Sequence, residues 1–416
     1  MRCWDGSTID GPSDTAATLV VRSPNAFRHF LYAPGELGLG RAYVSGELDL
    51  EGDVFEILRA PERWGEKRPH RRIGFDPEGL AEMWRAARQL GAIGPPLPPP
   101  PEEARLRGRR HSRRRDAAAV SSHYDVGNDF YRLLLGPTMT YSCAYWRTAD
   151  TTLDEAQTAK YELVSRKLGL QPGMRLLDVG CGWGGMVLHA ARQHGVRAVG
   201  VTVSAEQHRL AVQRVDEAGL TGQVEIRLQD YRDITDGPFD AISSIGMFEH
   251  VGHKRMSEYL SDLHALLRPE GRLLNHAISR PAVTKRPALA PNSFMGRYVF
   301  PDSELLEVGS VVTAMHSTGL EVRDLESLRE HYARTLRAWL ANLEGRWHEA
   351  QRLASPARTR IWRLYLAAAA LGFEQDRLSV HQVLAVRPGP GGTSGLPPTR
   401  TWLAEPTESP VRKVNQ

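Results

Sequence analysis

A chain of 416 residues, 41% hydrophobic and 25% charged, is long enough for two globular cores and excludes wholesale disorder. Its 53 basic and 49 acidic side chains give a net charge of +4, too small an excess to make nucleic acid the expected partner. The longest apolar stretch, 364–373, is far short of the ~18 residues of a membrane span, and 1–5 lacks the pattern of a secretory leader. Cys3, Cys143 and Cys181 cannot make a disulfide framework and suit a reducing cytosol, so a cytoplasmic protein is expected.

Along the chain, 18–22 reads as a strand and 25–31 as a helix after Ser23 and Pro24. Apolar positions at 37–50 and 54–58, and an amphipathic helix over 80–90, complete a small N-terminal α+β domain at 1–93. A Pro-rich run at 94–101 leads into seven arginines between Arg105 and Arg115, and 94–120 reads as a stiff linker. Only six basic residues are lysine, so arginine richness alone says little, but this cluster exceeds the background. Strands are expected at 174–179, 197–203, 224–228, 239–245 and 271–278, with helices at 186–194 and 205–218. That alternation predicts a doubly wound, Rossmann-like α/β sheet in a domain over 121–387. A helical stretch at 332–373, a strand at 380–386 and a disordered tail from 388 to 416 close the chain.

The strongest motif is LLDVGCGWGG at 176–185, a strand running through a glycine loop into a helix. Gly180 and Gly182 let a ligand approach the backbone at a helix N-terminus. The third glycine of a dinucleotide fingerprint is missing, and Asp178 sits on the strand itself. That arrangement points to S-adenosylmethionine. The next strand ends GVTVSAEQ at 200–207, where Thr202 and Gln207 offer neutral groups that can bond a ribose. Ser204 there reads equally as an ordinary helix cap.

MTYSCAYW at 139–146, the glycine loop, QDYRD at 229–233 and GMFEHVG at 246–252 occur in that order. Together they resemble the cyclopropane fatty acyl phospholipid synthases and the related mycolic acid cyclopropane synthases, over roughly 121–387. The resemblance implies methylation of a cis double bond of an acyl chain by S-adenosylmethionine, through a carbocation that a bound bicarbonate deprotonates to close the ring. A dry, aromatic pocket would protect such a cation. By resemblance, Cys143, Glu249, His276, the backbone of Ile278, and Tyr332 surround the bicarbonate. The cofactor residues carried over are Tyr141, Ser142, Asp178, Gly180, Gly182, Thr202, Gln207, Asp230 and Tyr231, with Tyr231 against the adenine. Arg232 receives no role. No metal site is expected. Taken singly, Cys143 reads as a small buried residue, His276 as a core histidine and Tyr332 as a helix start.

The family's late-helix cysteine is absent from Ala367, Ala368, Ala369 and Ala370, so no thiol nucleophile is expected there. The expected partner is an unsaturated phospholipid at the inner membrane surface, approached peripherally, with the arginine cluster as a candidate anionic-lipid contact. A homodimer stays open. Loss of the proton elsewhere would leave a methylene branch for a partner reductase, a rival that these motifs do not separate from ring closure. More distant readings are a nucleic-acid methyltransferase, weakened by the missing [N/D]-P-P-[Y/F/W] motif, and a non-catalytic lipid-binding protein.

Overall fold

The computed structural model describes residues 1–10, 17–64, 91–104, 127–282 and 293–400, together with 85, 88, 89 and 115. The helix expected over 80–90, apart from residues 85, 88 and 89, and all of the arginine cluster except Arg115 lie outside these residues. In chain order the strands are β1 (Ala17–Val21), β2 (Leu48–Gly52), β3 (Arg175–Val179), β4 (Arg197–Thr202), β5 (Val224–Leu228), β6 (Phe239–Ile245), β7 (Leu267–Ser279), β8 (Glu321–Ser327) and β9 (Ser379–Val386). The helices are α1 (Asn25–Tyr32), α2 (Glu36–Val44), α3 (Val54–Trp64), α4 (Asn128–Leu135), α5 (Leu153–Leu168), α6 (Gly185–His194) and α7 (Ala205–Glu217). They continue as α8 (Phe248–Val251), α9 (Met256–Leu266), α10 (Phe294–Tyr298), α11 (Val308–Ser317), α12 (Arg329–Gly345), α13 (Trp347–Leu353) and α14 (Pro356–Glu374).

Two compact units interleave along the chain and do not follow linear boundaries at 93, 120 and 387. The first takes Met1–Met139, Ser279–Leu306 and Arg329–Ser379. Its β1 and β2, joined through α1 and α2, pair antiparallel, Ala17 opposite Gly52 and Val21 opposite Leu48, over Ala26 and Ala42. Arg363 of α14 donates to the carbonyls of Leu50 (2.8 Å) and Gly52 (2.9 Å), which ties the late helices to this two-stranded sheet. Buried Glu103 accepts from Nε and Nη2 of Arg41, each at 2.8 Å, and from the Tyr298 hydroxyl at 3.2 Å. That pairing supplies the counter-charge a buried carboxylate needs. Between α4 and α14, Trp362 stands edge to face with Tyr131 and Tyr365 and tilted against Phe130.

The second unit takes Thr140–Ile278, Glu307–Leu328 and Val380–Gln416. Its seven strands run in the order β5-β4-β3-β6-β7-β9-β8. β3 pairs parallel with β4 and β6, and β6 parallel with β7, as the strand–helix alternation requires. This is the expected doubly wound, Rossmann-like sheet. α5 begins with a reciprocal cap, the Thr152 side chain accepting from Glu155 N–H (3.3 Å) and Glu155 from Thr152 N–H (2.8 Å). It ends at left-handed Gly169. β8, absent from the sequence reading, pairs antiparallel with β9. Asp324 on β8 is buried because Lys167 reaches it at 3.2 Å and Glu326 at 2.6 Å. Of the tail expected to be disordered, 388–400 is described and held in part by Arg400 beside Asp324 (3.0 Å) and by the Gly395 carbonyl accepting from Arg272 (3.1 Å), and 401–416 lies outside the described residues.

Candidate active site

The strand order reverses between β4–β3 and β6–β7, and ligands of such sheets bind in the crevice beyond the carboxyl ends at that point. The loop leaving β3 passes through Gly180 (φ +78), Gly182 (φ +55) and Gly184 (φ +80), conformations that L side chains resist. A Cβ on Gly182 would meet nothing within 4 Å, so the backbone lies open to a ligand there. A Cβ on Gly185 would stand 2.0 Å from the Tyr161 hydroxyl, so that glycine serves the packing of α6 on α5. Asp178 pairs in register with Ser243, whose hydroxyl donates to it at 2.6 Å. Burial nevertheless pushes the Asp178 carboxyl up to about 6.

One face of α5 grips the segment that carries Tyr141 and Ser142. Gln157 donates to the carbonyls of Ser142 (2.9 Å) and Thr140 (3.4 Å). Lys160 donates to the Ser142 hydroxyl (3.1 Å), and the Tyr161 and Thr140 hydroxyls lie 2.5 Å apart. Spacings of three and four residues put these three side chains on one helix face. Sequence reasoning missed this helix; the T-x-x-E capping box at Thr152 was the available signal. Tyr141 is half-buried and Ser142 buried.

On β4, Thr202 donates to the Gln207 side-chain oxygen at 2.9 Å, which leaves the Gln207 amide nitrogen for a ribose hydroxyl. Ser204 also caps α7 through Gln207 N–H at 3.3 Å. Asp230 caps the turn Tyr231–Asp233 and holds the Arg232 guanidinium through both oxygens, at 2.8 and 2.5 Å. Arg232 is therefore the clamp of Asp230. Tyr231 stands edge-on to Tyr259 with centroids 4.9 Å apart, and Tyr259 is fixed by Ser244 at 2.7 Å.

The candidate base site forms where β6 and β7 end. Ile245 lies opposite His276, and Gly246 (φ +70) turns the chain into α8, burying Glu249. The Glu249 Oε1 accepts the Ile278 N–H at 2.7 Å, whereas its Oε2 has no partner among the described residues. Burial pushes this carboxyl up to about 7. His276 has Nδ1 3.3 Å from the Gln382 amide nitrogen, and its Nε2 has no partner among the described residues. Burial, with Lys160 and Lys167 nearby, holds its pKa down to about 3, so the ring is neutral. An amide N–H donated to Nδ1 places the proton on Nε2, making that atom a donor. Gln382→Leu is expected to release this tautomer: nitrogen NMR should show a single Nε2–H form in the wild-type ring and a mixture in the variant.

Cys143 is fully buried, its thiol donating to the carbonyls of Ala144 (3.2 Å) and Leu328 (3.7 Å). Tyr332 falls in the other unit, on α12, tilted against Phe373 at 4.7 Å and edge-on to Trp339 at 6.1 Å. Glu249 of α8 and Ile278 of β7 are thus joined directly, and His276 precedes Ile278 by two residues on β7. Gln157, Lys160, Tyr161 and Gln382 are additions that sequence reasoning did not make. Glu162 with His189 (3.3 Å) and His194 (3.0 Å) gathers three ligand-type groups on α5 and α6, where each satisfies another's hydrogen bond.

The family model described as mycolic acid cyclopropane synthetase matches residues 111–383. A "probable fatty acid methyltransferase" of Mycobacterium tuberculosis is 44% identical, covering 96% of this chain and 93% of its own length. The cyclopropane-fatty-acyl-phospholipid synthase of Escherichia coli K12 is 34% identical over 92% of this chain and 90% of its own. Among solved structures, the mycolic acid cyclopropane synthase CmaA1 complexed with SAH and CTAB is similar at a TM-score of 0.61 and 36% identity. That likeness covers 65% of this chain and 98% of the other.

Proposed function

Because the chain belongs to the mycolic acid cyclopropane synthetase family and is an S-adenosylmethionine-dependent methyltransferase, we propose that it closes cyclopropane rings on unsaturated phospholipid acyl chains at their cis double bonds, with bicarbonate as base. The observation that carries this reading is that two buried atoms where β6 and β7 end are orphaned among the described residues, His276 Nε2 and the Oε2 of Glu249, whose other oxygen accepts the Ile278 N–H. Buried polar atoms are rarely left without partners, and one acceptor with one donor fits a small protonated oxyanion. The open backbone at Gly182 fits S-adenosylmethionine in the same way.

S-adenosylmethionine would supply the methyl group and bicarbonate the base. Gly180, Gly182, Asp178, Ser142, Gln207 and Tyr231 would bind and orient the first. Glu249 and His276 would hold the second; an ionised Glu249 would accept its proton-bearing oxygen and raise its basicity. Cys143 and Tyr332 complete the set only by resemblance. Among the described residues no helix is long and apolar enough to cross a membrane, so the lipid would be met at the bilayer surface. Arg115 is held by Asp302 at 2.5 Å and is withdrawn from that contact.

A methyl-branching reaction uses the same residues and differs in where the proton leaves. It is favoured by relatives of 44% and 42% identity named as fatty acid methyltransferases, and by one of 32% named for tuberculostearic acid. The deciding experiment gives purified protein labelled S-adenosylmethionine and vesicles of cis-monounsaturated anionic phospholipid, with and without bicarbonate. Upfield ring protons in the product lipid, dependent on bicarbonate, are the expected result. Olefinic methylene protons would move the assignment to branching, and absence of any lipid product would overturn both.

A further inference from the structure

Among the described residues of the sheet-bearing unit, two lysines are sealed from solvent, and only one of them is matched by carboxylates at ion-pair distance. Lys167 reaches Glu326 at 2.6 Å and Asp324 at 3.2 Å. Lys160 is 1% exposed; its ammonium donates to the Ser142 hydroxyl at 3.1 Å and lies 4.0 Å from the Tyr161 ring centroid. A hydroxyl and a ring face are weak compensation for a buried ammonium, which has three donors to place. The groups whose charge bears on it are Asp178 and Cys143, and its own charge bears on His276. Asp178 is itself occupied by Ser243.

We propose that Lys160 is the positive charge that retains the anionic base, a positioning residue acting from beneath Ser142 and Cys143. This rests on the bicarbonate reading above. Charge accounting supports it: Asp178, Glu249 and the oxyanion are all acidic, His276 is neutral, and Ile278 contributes only an amide dipole. Lys160 is the cation whose charge bears on Asp178, Cys143 and His276. Burial draws its pKa down to about 7, so its protonation near neutral pH would respond to an anion arriving beside it.

The test melts the full-length protein with S-adenosylhomocysteine in sodium bicarbonate or in sodium chloride of equal ionic strength. A ligand that binds the folded state raises the melting temperature. The wild-type protein is expected to gain stability from bicarbonate and Lys160→Met to gain none. In the lipid assay Lys160→Met should need at least about tenfold more bicarbonate, and Lys160→Arg should restore the response. A full bicarbonate response in Lys160→Met would overturn the proposal. If that variant does not fold, Lys160→Arg decides, because a folded arginine variant without the response overturns it equally. Wild-type protein that makes lipid product without any bicarbonate response removes the base and this proposal together. Wild-type protein that makes no lipid product fails the functional reading itself.

Discussion

Glu249→Gln is expected to lower lipid product formation by at least about 10²-fold and, at the same time, to stabilise the fold. The two effects have one cause. Glu249 is buried, one oxygen held by the Ile278 N–H at 2.7 Å and the other without a partner, and burial raises its pKa to about 7. A carboxyl with a raised folded-state pKa stabilises the fold below its ordinary range and loses that contribution as pH rises through about 7. Glutamine keeps the acceptor for Ile278 and has no charge to bury. The stability advantage of the variant should therefore grow between about pH 5 and pH 8, reaching roughly 1–3 kcal/mol. Melting temperatures of both proteins across that range, read beside product yield, check the prediction. A variant that loses activity and stability together would show a structural role for Glu249 instead. In the wild-type enzyme the same titration should make product formation climb with pH through about 7, because the ionised carboxylate is the form that raises the basicity of a bound oxyanion.

The sheet was legible because its chemistry is local. Runs such as 175–179 and 239–245 are short, mostly apolar and followed by glycine, a pattern that parallel strands buried on both faces favour. β8 was not legible for the opposite reason. Its sequence EVRDLES carries three acidic residues, and Asp324 and Glu326 become acceptable only when Lys167, more than 150 residues earlier in the chain, arrives to pair with them. The interleaving of the two units was hidden likewise: Arg363 binding the carbonyls of Leu50 and Gly52 is a long-range bond that no periodicity encodes. At the site, Asp178 and the glycines announce themselves by sequence context. Gln382 does not, since on β9 it reads as one polar residue in an apolar strand, and its part emerges only when His276 on β7 is placed beside it. Lys160 was similarly silent, because a lysine on a helix is ordinarily a solvent residue.

Two single methyl groups placed three residues apart should separate cofactor binding from folding. At Gly182 the added Cβ would enter space with no atom within 4 Å, and the only folding cost is the positive φ of +55, about 1–2 kcal/mol for an L residue. At Gly185 the added Cβ would stand 2.0 Å from the Tyr161 hydroxyl and 2.7 Å from its ring carbon. Tyr161 cannot withdraw freely, because it is buried, its hydroxyl lies 2.5 Å from that of Thr140, and the Lys160 ammonium lies over its ring. Overpacking of this kind costs about 1–3 kcal/mol or more. Gly185→Ala should therefore melt several degrees below wild type. Any loss of S-adenosylhomocysteine affinity in it would be secondary to movement of α5 against the segment that carries Ser142. Gly182→Ala should lose no more than the few degrees its φ costs yet bind S-adenosylhomocysteine at least about tenfold more weakly, because its methyl occupies the face the loop presents to a ligand. Calorimetric titration beside thermal melting reads both quantities from one preparation. Undiminished affinity in Gly182→Ala would mean that the cofactor does not approach the backbone at this glycine, and the assignment of the loop would have to move to Gly180 and Asp178 alone.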